Sequence, residues 1–378
     1  MKSSRMSIVP QLDLKAEYSE IQSQIKKCVT RFFKSGRYIL GPEVEALERH
    51  FAKFIGTQYA VGVASGTDAL LLPLMAYDLK KGDEVITTPF TFIATATTIA
   101  RLGAKPVFVD IEADTYNLNP DLIEKKITSK TRGIVVVHLY GNPCRMSEIQ
   151  ALAKRHKLFV IEDCAQACGA TYQNKRVGSL SGAGAFSFYP TKTLGAAGDA
   201  GIITTHDKKI YETIKSLRHH GDDGKHHAYN HVRIGINSRL DEIQAAVLNV
   251  KLKFLPQWNK KRRLCASYYD RFIKKLGTKI IVLPRKTSGG QTVYHQYVLR
   301  IKNGKRDRLL SHLRRDGMQA AVYYPTPLHL QPCFSYLGYQ KGDFPIAEQA
   351  SKEVLSLPLY PQIKKFQQDQ VINSLSRF

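Results

Sequence analysis

The sequence predicts an α/β fold: a mostly parallel central sheet with helices on both faces, followed by a small C-terminal α+β domain. Three observations carry this expectation. Between residues 58 and 205 short apolar runs alternate with amphipathic ones, which is the strand–helix alternation of a doubly covered sheet. The strand-like runs are apolar throughout, as in Gly133-Ile-Val-Val-Val137, so both sheet faces are buried. After Pro256 the chain turns polar and basic over residues 257–263. That shift marks a boundary between a large unit, residues 1–256 including the N-terminal segment, and a small one, residues 257–378.

The elements follow in order. Residues 83–88 read as a strand that stops at Pro89, and 92–102 as a helix. Residues 105–110 are a strand, and 119–127 a helix with Pro120 in its first turn, where the missing N–H costs nothing. A buried strand at 132–139, a helix at 147–156 and a strand at 158–162 continue the alternation. Two strand-like segments flank the glycine-rich turn inside 184–205. A long helical pattern covers 239–255 and ends at Pro256. Beyond it come a strand at 294–301, a helix at 306–316 and a proline-rich stretch, 324–329.

Composition narrows the class. The 378 residues are 43% hydrophobic and 23% charged, an ordinary globular balance. No stretch approaches the roughly 18 uncharged apolar residues of a membrane helix. The first 14 residues carry charges and no continuous apolar run, so no signal peptide is expected. Six scattered cysteines include no CxxC pair and indicate reduced thiols in a cytoplasmic protein. The 56 Lys and Arg outnumber the 32 Asp and Glu, giving a net charge of +24. The basic pairs are spread along the whole chain without interleaved aromatics. The charge therefore favours anionic small substrates over nucleic acid. Five histidines lie between 219 and 231, at 219, 220, 226, 227 and 231. Their spacing matches no metal motif, so a polar loop and no metal are expected.

In a parallel sheet ligands bind beyond the carboxyl ends of the strands, and four features lie there. Ser65-Gly-Thr-Asp-Ala-Leu70 opens a helix with small residues. It is either an ordinary capped helix or a phosphate site, with free N–H groups at a positive dipole end. Phe90 directly follows a strand and is either core or a ring that stacks on a planar ligand. Asp163 follows an apolar run, so its carboxylate emerges partly desolvated and needs a partner. A helix cap or a protonated pyridine nitrogen would serve. Lys192 sits among Pro190, Leu194, Gly195 and Ala196. Apolar surroundings lower an amine's pKa, and a neutral amine can form a Schiff base with an aldehyde. Each feature alone has a bland reading. Together they meet the requirements of pyridoxal 5'-phosphate: phosphate cradle, stacking ring, acid for the ring nitrogen and imine-forming lysine.

The motifs and their order resemble the DegT/StrS family of pyridoxal-phosphate-dependent sugar aminotransferases. The resemblance runs through Ser35-Gly-Arg-Tyr-Ile-Leu-Gly-Pro-Glu43, Ser65-Gly-Thr-Asp-Ala-Leu70, Thr88-Pro-Phe-Thr-Phe-Ile-Ala-Thr95, His138-Leu-Tyr-Gly141 and Glu162-Asp-Cys-Ala-Gln166. It continues through Ser187-Phe-Tyr-Pro-Thr-Lys192, the stretch 235–246 and Tyr324-Pro-Thr-Pro-Leu-His329. It implies fold type I, a homodimer with shared active sites, and Lys192 as the residue that binds the cofactor aldehyde. It further implies that Asp163 meets the ring nitrogen and Gln166 the ring hydroxyl, and that Phe90 stacks on the ring. Gly66, Thr67 and Ser187 would hold the phosphate, with Asn237 reaching it from the partner subunit. Arg239 and His329 would lie near the sugar. Two positions depart from the pattern: Cys168 where many members carry histidine, and Ala200 where glycine is common.

A related dehydratase subgroup replaces the lysine with histidine, so Lys192 implies an aminotransferase. The resemblance implies transfer from L-glutamate to a keto sugar on a nucleotide diphosphate, for a surface glycan such as lipopolysaccharide O-antigen. Asp68 resembles members that aminate C3, and a 4-keto sugar is the alternative. The rival class is a basic nucleic-acid-binding or regulatory protein on the same fold.

Overall fold

The computed structural model describes residues 8–224 and 229–378. Strands β1 (Tyr59–Val63), β2 (Glu84–Thr87), β3 (Lys105–Phe108), β4 (Thr131–Val137) and β5 (Phe159–Asp163) come first. A small hairpin follows, β6 (Thr171–Tyr172) and β7 (Lys175–Arg176), and then β8 (Ala183–Ser187) and β9 (Gly201–Thr205). Seven of these form one sheet in the order β1-β9-β8-β5-β4-β2-β3. The pairings β2–β3, β2–β4, β4–β5 and β5–β8 are parallel, and β9 runs antiparallel to both β1 and β8.

The helices α1 (Leu14–Ser35), α2 (Pro42–Ile55), α3 (Gly66–Ala76), α4 (Ala94–Arg101), α5 (Met146–Arg155), α6 (Lys208–Leu217) and α7 (Glu242–Leu252) accompany this sheet. Strand alternation divides its apolar residues between two cores. Phe186 and Ile202 join Leu47 and Phe51 of α2 and Leu248 of α7 on one face. Ala185 and Ile203 join Leu72 of α3 and Ile214 of α6 on the other. This two-sided burial is why the strands read as continuous apolar runs.

The C-terminal part comprises α8 (Leu255–Lys275), β10 (Ile281–Val282), β11 (Gly290–Gln291), β12 (Tyr297–Ile301), α9 (Arg306–Arg315), α10 (Pro345–Glu353), β13 (Val354–Leu357) and α11 (Lys365–Ser376). β10, β12 and β13 form an antiparallel sheet, while β11 pairs with the β6–β7 hairpin. Tyr269, Leu299, Leu309, Leu355 and Val371 share one core there. The segment ahead of α1 joins it: Val9 is part of that core and bridges Met318, and Gln11 Nε2 donates to Ser356 Oγ at 2.8 Å.

Three local readings change. Residues 119–127 form two short 3-10 turns, Pro120–Leu122 and Glu124–Lys126, rather than one helix. The helix expected over 239–255 is Glu242–Leu252, and Pro256 opens α8 instead of ending its predecessor. Proline fits a first helical turn as readily as it terminates one, and the basic stretch 257–263 is therefore helical. The strand expected from 294 starts at Tyr297.

His226 and His227 lie outside the described residues. Among the described ones, His231 Nδ1 meets the His220 carbonyl at 3.0 Å. The grouping with metal-like spacing there is His138, Glu162 and Cys164, elsewhere in the chain. Five cysteines are buried and Cys333 is exposed. Among the described residues no helix is long and apolar enough to cross a membrane.

Glu162 fixes the end of β5. It is fully buried, and each carboxylate oxygen accepts two hydrogen bonds. Oε1 takes them from Leu180 N (2.9 Å) and Ser181 Oγ (3.0 Å). Oε2 takes them from Gly178 N (2.8 Å) and lies 3.0 Å from His138 Nε2. His138 Nδ1 accepts from Cys144 N at 3.0 Å, so its Nε2 carries the proton and donates to Glu162. In Glu162→Gln the new amide NH2 faces a backbone N–H in either orientation. We expect a loss of about 2 kcal/mol, measured as a lower denaturant midpoint at unchanged slope.

Candidate active site

The strand ends converge on one place because parallel neighbours finish on the same edge. β5 ends at Asp163 beside Ala185 of β8, with Ser187 two residues further along. α3 begins opposite. Ser65 caps it, its Oγ accepting from Asp68 N at 3.1 Å. Gly66 is required by this closeness: a Cβ there would lie 2.4 Å from Ser187 Cβ and 2.7 Å from Ser187 Oγ. A Cβ at Gly201 would lie 2.3 Å from the Ser65 carbonyl oxygen. The two glycines let the head of an 11-residue helix close on the sheet edge, leaving its first N–H groups free beside the Ser187 hydroxyl.

Lys192 sits in a turn braced from behind. Its N–H donates to the Tyr189 carbonyl at 2.8 Å, and Ala196 N to the Phe188 carbonyl at 2.7 Å. From α7, Gln244 Oε1 accepts from Ala197 N at 2.8 Å and Lys251 Nζ donates to the Gly195 carbonyl at 2.7 Å. Lys251 also pairs with Glu17 of α1 at 2.6 Å. Burial lowers the pKa of the half-buried Lys192 amine, and the Asp163 charge opposes this.

Asp163 is buried, and burial pushes its carboxyl up. Opposing that are hydrogen bonds from Ala165 N to Oδ1 (3.1 Å) and from Thr95 Oγ1 to Oδ2 (2.9 Å), then the charge of Lys192. One donor per oxygen leaves acceptor capacity unused. Gln166 is held in a fixed pose: Oε1 accepts from Tyr140 N at 2.7 Å and Nε2 donates to Tyr324 Oη at 3.0 Å.

These groups face a cavity of about 830 Å³, within the range of small-molecule sites. Of the residues singled out in the sequence, Gly66, Thr67, Asp163, Gln166, Ser187 and Lys192 line it. Four do not. Phe90, expected to stack on the cofactor ring, is fully buried in a core with Phe108, Tyr116 and Leu328. The chain turns after Pro89, with Phe90 N bonded to Thr88 Oγ1 at 3.1 Å, and that turn sends the ring inward. Phe92 lines the cavity instead, 56% exposed and 6.2 Å from the Tyr324 ring. His329, expected near the sugar, is buried away from the cavity with Nε2 3.1 Å from Glu348 Oε1. Asn237 and Arg239 are also absent from this wall. Asn237 is exposed, in a segment that pairs with residues 217–220.

Other lining residues went unread in the sequence. Gln11, Arg262, His295, Gln296, Gln319 and Tyr323 form the opposite wall. They come from the N-terminal segment and the C-terminal part, so no local spacing brings them together. Phe92 had a sequence signal as the second phenylalanine of Thr88-Pro-Phe-Thr-Phe92, and Tyr324 had one as the first residue of Tyr324-Pro-Thr-Pro-Leu-His329.

The residues present fit pyridoxal phosphate. The glycine cradle at Gly66 would take its phosphate, the exposed ring of Phe92 its face, and the unused acceptor capacity of Asp163 a protonated ring nitrogen. Lys192 would reach its aldehyde.

Comparison with known proteins agrees. The profile described as the DegT/DnrJ/EryC1/StrS aminotransferase family matches residues 19–376. A Geobacillus stearothermophilus protein named pleiotropic regulatory protein is 46% identical over 370 residues, spanning 98% of this chain and 98% of that one. The dTDP-3-amino-3,6-dideoxy-alpha-D-galactopyranose transaminase of Aneurinibacillus thermoaerophilus is 44% identical over 371 residues, 98% of this chain and 99% of that one. The crystal structure of DesV from S. venezuelae superimposes with a TM-score of 0.94 at 41% identity, covering 98% of each chain. The fold is that of the fold type I enzymes, and the chain belongs to the DegT/DnrJ/EryC1/StrS family of pyridoxal-phosphate-dependent aminotransferases.

Proposed function

We propose that this aminotransferase moves the amino group of L-glutamate onto carbon 3 of a keto sugar carried on a nucleotide diphosphate, giving an amino sugar for surface-glycan assembly. The observation that carries the reading is Lys192 and Asp163 facing the same cavity with the Gly66–Ser187 cradle between β8 and α3. The relative from A. thermoaerophilus is named for a nucleotide sugar that carries its amino group at C3. Asp68 in Gly-Thr-Asp-Ala supports the same carbon, and a 4-keto sugar remains the alternative. Another relative bears a regulatory name. The intact lysine, aspartate and glutamine of this cavity favour turnover as this chain's role.

Pyridoxal phosphate, when bound, would supply an electron sink at the donor's Cα. Asp163 would hold a proton on the ring nitrogen, which makes the ring an effective sink. Lys192 Nζ, its proton affinity lowered by burial, takes the Cα proton and returns it on the other side of the exchange. Gln166 would hold the ring hydroxyl and Phe92 would lie against the ring face. The same residues run the steps in reverse on the keto sugar.

The site is completed by a second copy of the chain. Asn237 and Arg239 lie outside the cavity of their own subunit. They follow exposed apolar residues, Val232 and the 92% exposed Ile234. Tyr38 and Ile39, the latter bridged to Asp241, extend the apolar surface. Such a patch suits a self-complementary interface.

Four outcomes test this reading. Incubation with glutamate and a panel of 3-keto and 4-keto nucleotide sugars should give a new C–N bond at C3, located by NMR. Lys192→Ala should lower turnover by about 10²- to 10⁴-fold, and full turnover would refute the mechanism. Mixing equal amounts of inactive Lys192→Ala and Asn237→Ala chains should restore about a quarter of wild-type activity, because half the dimers carry one intact site. No recovery after subunit exchange would remove Asn237 from the shared site. Finally, the folded pKa of Asp163 lies above its unfolded value, so its contribution to stability is present in acid and lost as pH rises through the folded pKa. Cofactor-free Asp163→Asn should therefore gain in melting temperature over the wild type as pH increases, while losing turnover.

A further inference from the structure

The wall of the cavity supplied by the N-terminal segment and the C-terminal part is built of buried polar groups. Gln11 Oε1, Arg262 Nε, His295 Nδ1 and Gln296 Oε1 are all buried without a hydrogen-bond partner among the described residues, and all four residues line the cavity. Buried polar atoms are nearly always partnered, so four orphans on one wall indicate groups waiting for a ligand.

Arg262, on α8, is the charged member. It is 2% exposed. Its Nη1 donates to the carbonyls of Tyr294 (3.3 Å), His295 (3.4 Å) and Leu359 (3.2 Å). No carboxylate lies within ion-pair distance of it among the described residues. Glu17, the acid that pulls on it electrostatically, is already paired with Lys251 at 2.6 Å. Burial without a counter-charge pushes the guanidinium down to about 10. The remaining ionisable groups around the cavity do not neutralise it. Lys192 is a second cation, Asp163 is held by Thr95 Oγ1 and Ala165 N, and Asp199 is exposed. His295 is pushed well below its ordinary value by burial and by the charges of Lys192 and Arg262. It is therefore neutral, and it lies within electrostatic reach of both.

A desolvated, unpaired cation is costly unless a ligand supplies the anion. The cofactor's phosphate belongs to the Gly66–Ser187 cradle. A planar guanidinium fork matches a carboxylate with two parallel hydrogen bonds. A diphosphate bearing a nucleoside needs an open exit that this buried position does not offer. We propose that Arg262 seats a carboxylate of the amino-acid donor, and of the keto acid that leaves, opposite Lys192. The two glutamine oxygens are acceptors, suited to N–H and O–H groups of the substrates and not to the carboxylate itself. The inference rests on the aminotransferase reading above and names the donor site within it.

The test uses the cofactor-loaded enzyme and glutarate, a dicarboxylate without an amino group, as the probe in calorimetric titrations. Uridine diphosphate is titrated in parallel. Arg262→Met should weaken glutarate at least about 30-fold and raise the glutamate KM similarly, with nucleotide affinity unchanged. A folded, loaded Arg262→Met that binds glutarate like the wild type overturns the proposal. So does a variant that loses uridine diphosphate instead, or a wild type that does not bind glutarate. Because Arg262 also ties three carbonyls, Arg262→Lys provides the second arm. It keeps a charge for those carbonyls but lacks the fork, and it should weaken glutarate about tenfold. Unchanged affinity there also overturns the assignment. A wild type that transaminates normally beside an unaffected Arg262→Met defeats this inference alone, whereas a wild type that never takes up cofactor defeats the function reading.

Discussion

The site depends on two consecutive carboxylates buried at the end of β5. Strand alternation turns Glu162 and Asp163 to opposite faces, and the protein treats them differently. Glu162 has every acceptor site filled by its surroundings and so locks the strand end, His138 and the 178–181 turn together. Asp163 receives one donor per oxygen and is left open to the cavity. The first carboxylate fixes the frame so that the second can stay under-satisfied in a fixed place.

Around that strand end the cavity is assembled from two sources. One side comes from the sheet edge and the heads and turns attached to it. The opposite side comes from α8, the β12 approach and the segment before α1, which reaches the C-terminal sheet through Val9 and Gln11. The lysine turn is gripped from α7 and, through the Lys251–Glu17 pair, from α1. The N-terminal helix thus bears on the Lys192 turn without touching the cavity.

What was legible in the sequence was local. Gly66, Thr67, Asp163, Gln166, Ser187 and Lys192 each follow a strand or open a helix, and the rule about strand ends gathers them without knowledge of tertiary contacts. Phe90 failed because one turn after Pro89 decides which of two phenylalanines faces inward, and spacing does not record that. His329 failed because its imidazole finds Glu348, a partner supplied by α10. Pro256 was ambiguous in principle, since proline both ends helices and begins them. The polar wall around Arg262 was invisible because its members lie far apart in the chain.

The cysteines have a practical consequence. Burial raises the thiols of Cys28, Cys144, Cys164, Cys168 and Cys265, which keeps them protonated and shielded. Cys333 alone is exposed. A maleimide dye applied to the folded natural chain therefore marks a single spot, on the 3-10 turn Pro332–Leu337, whose Phe334 packs in the same core as Phe90. Native-state fluorescence from that one position would report on the packing behind the active site without any engineered residue.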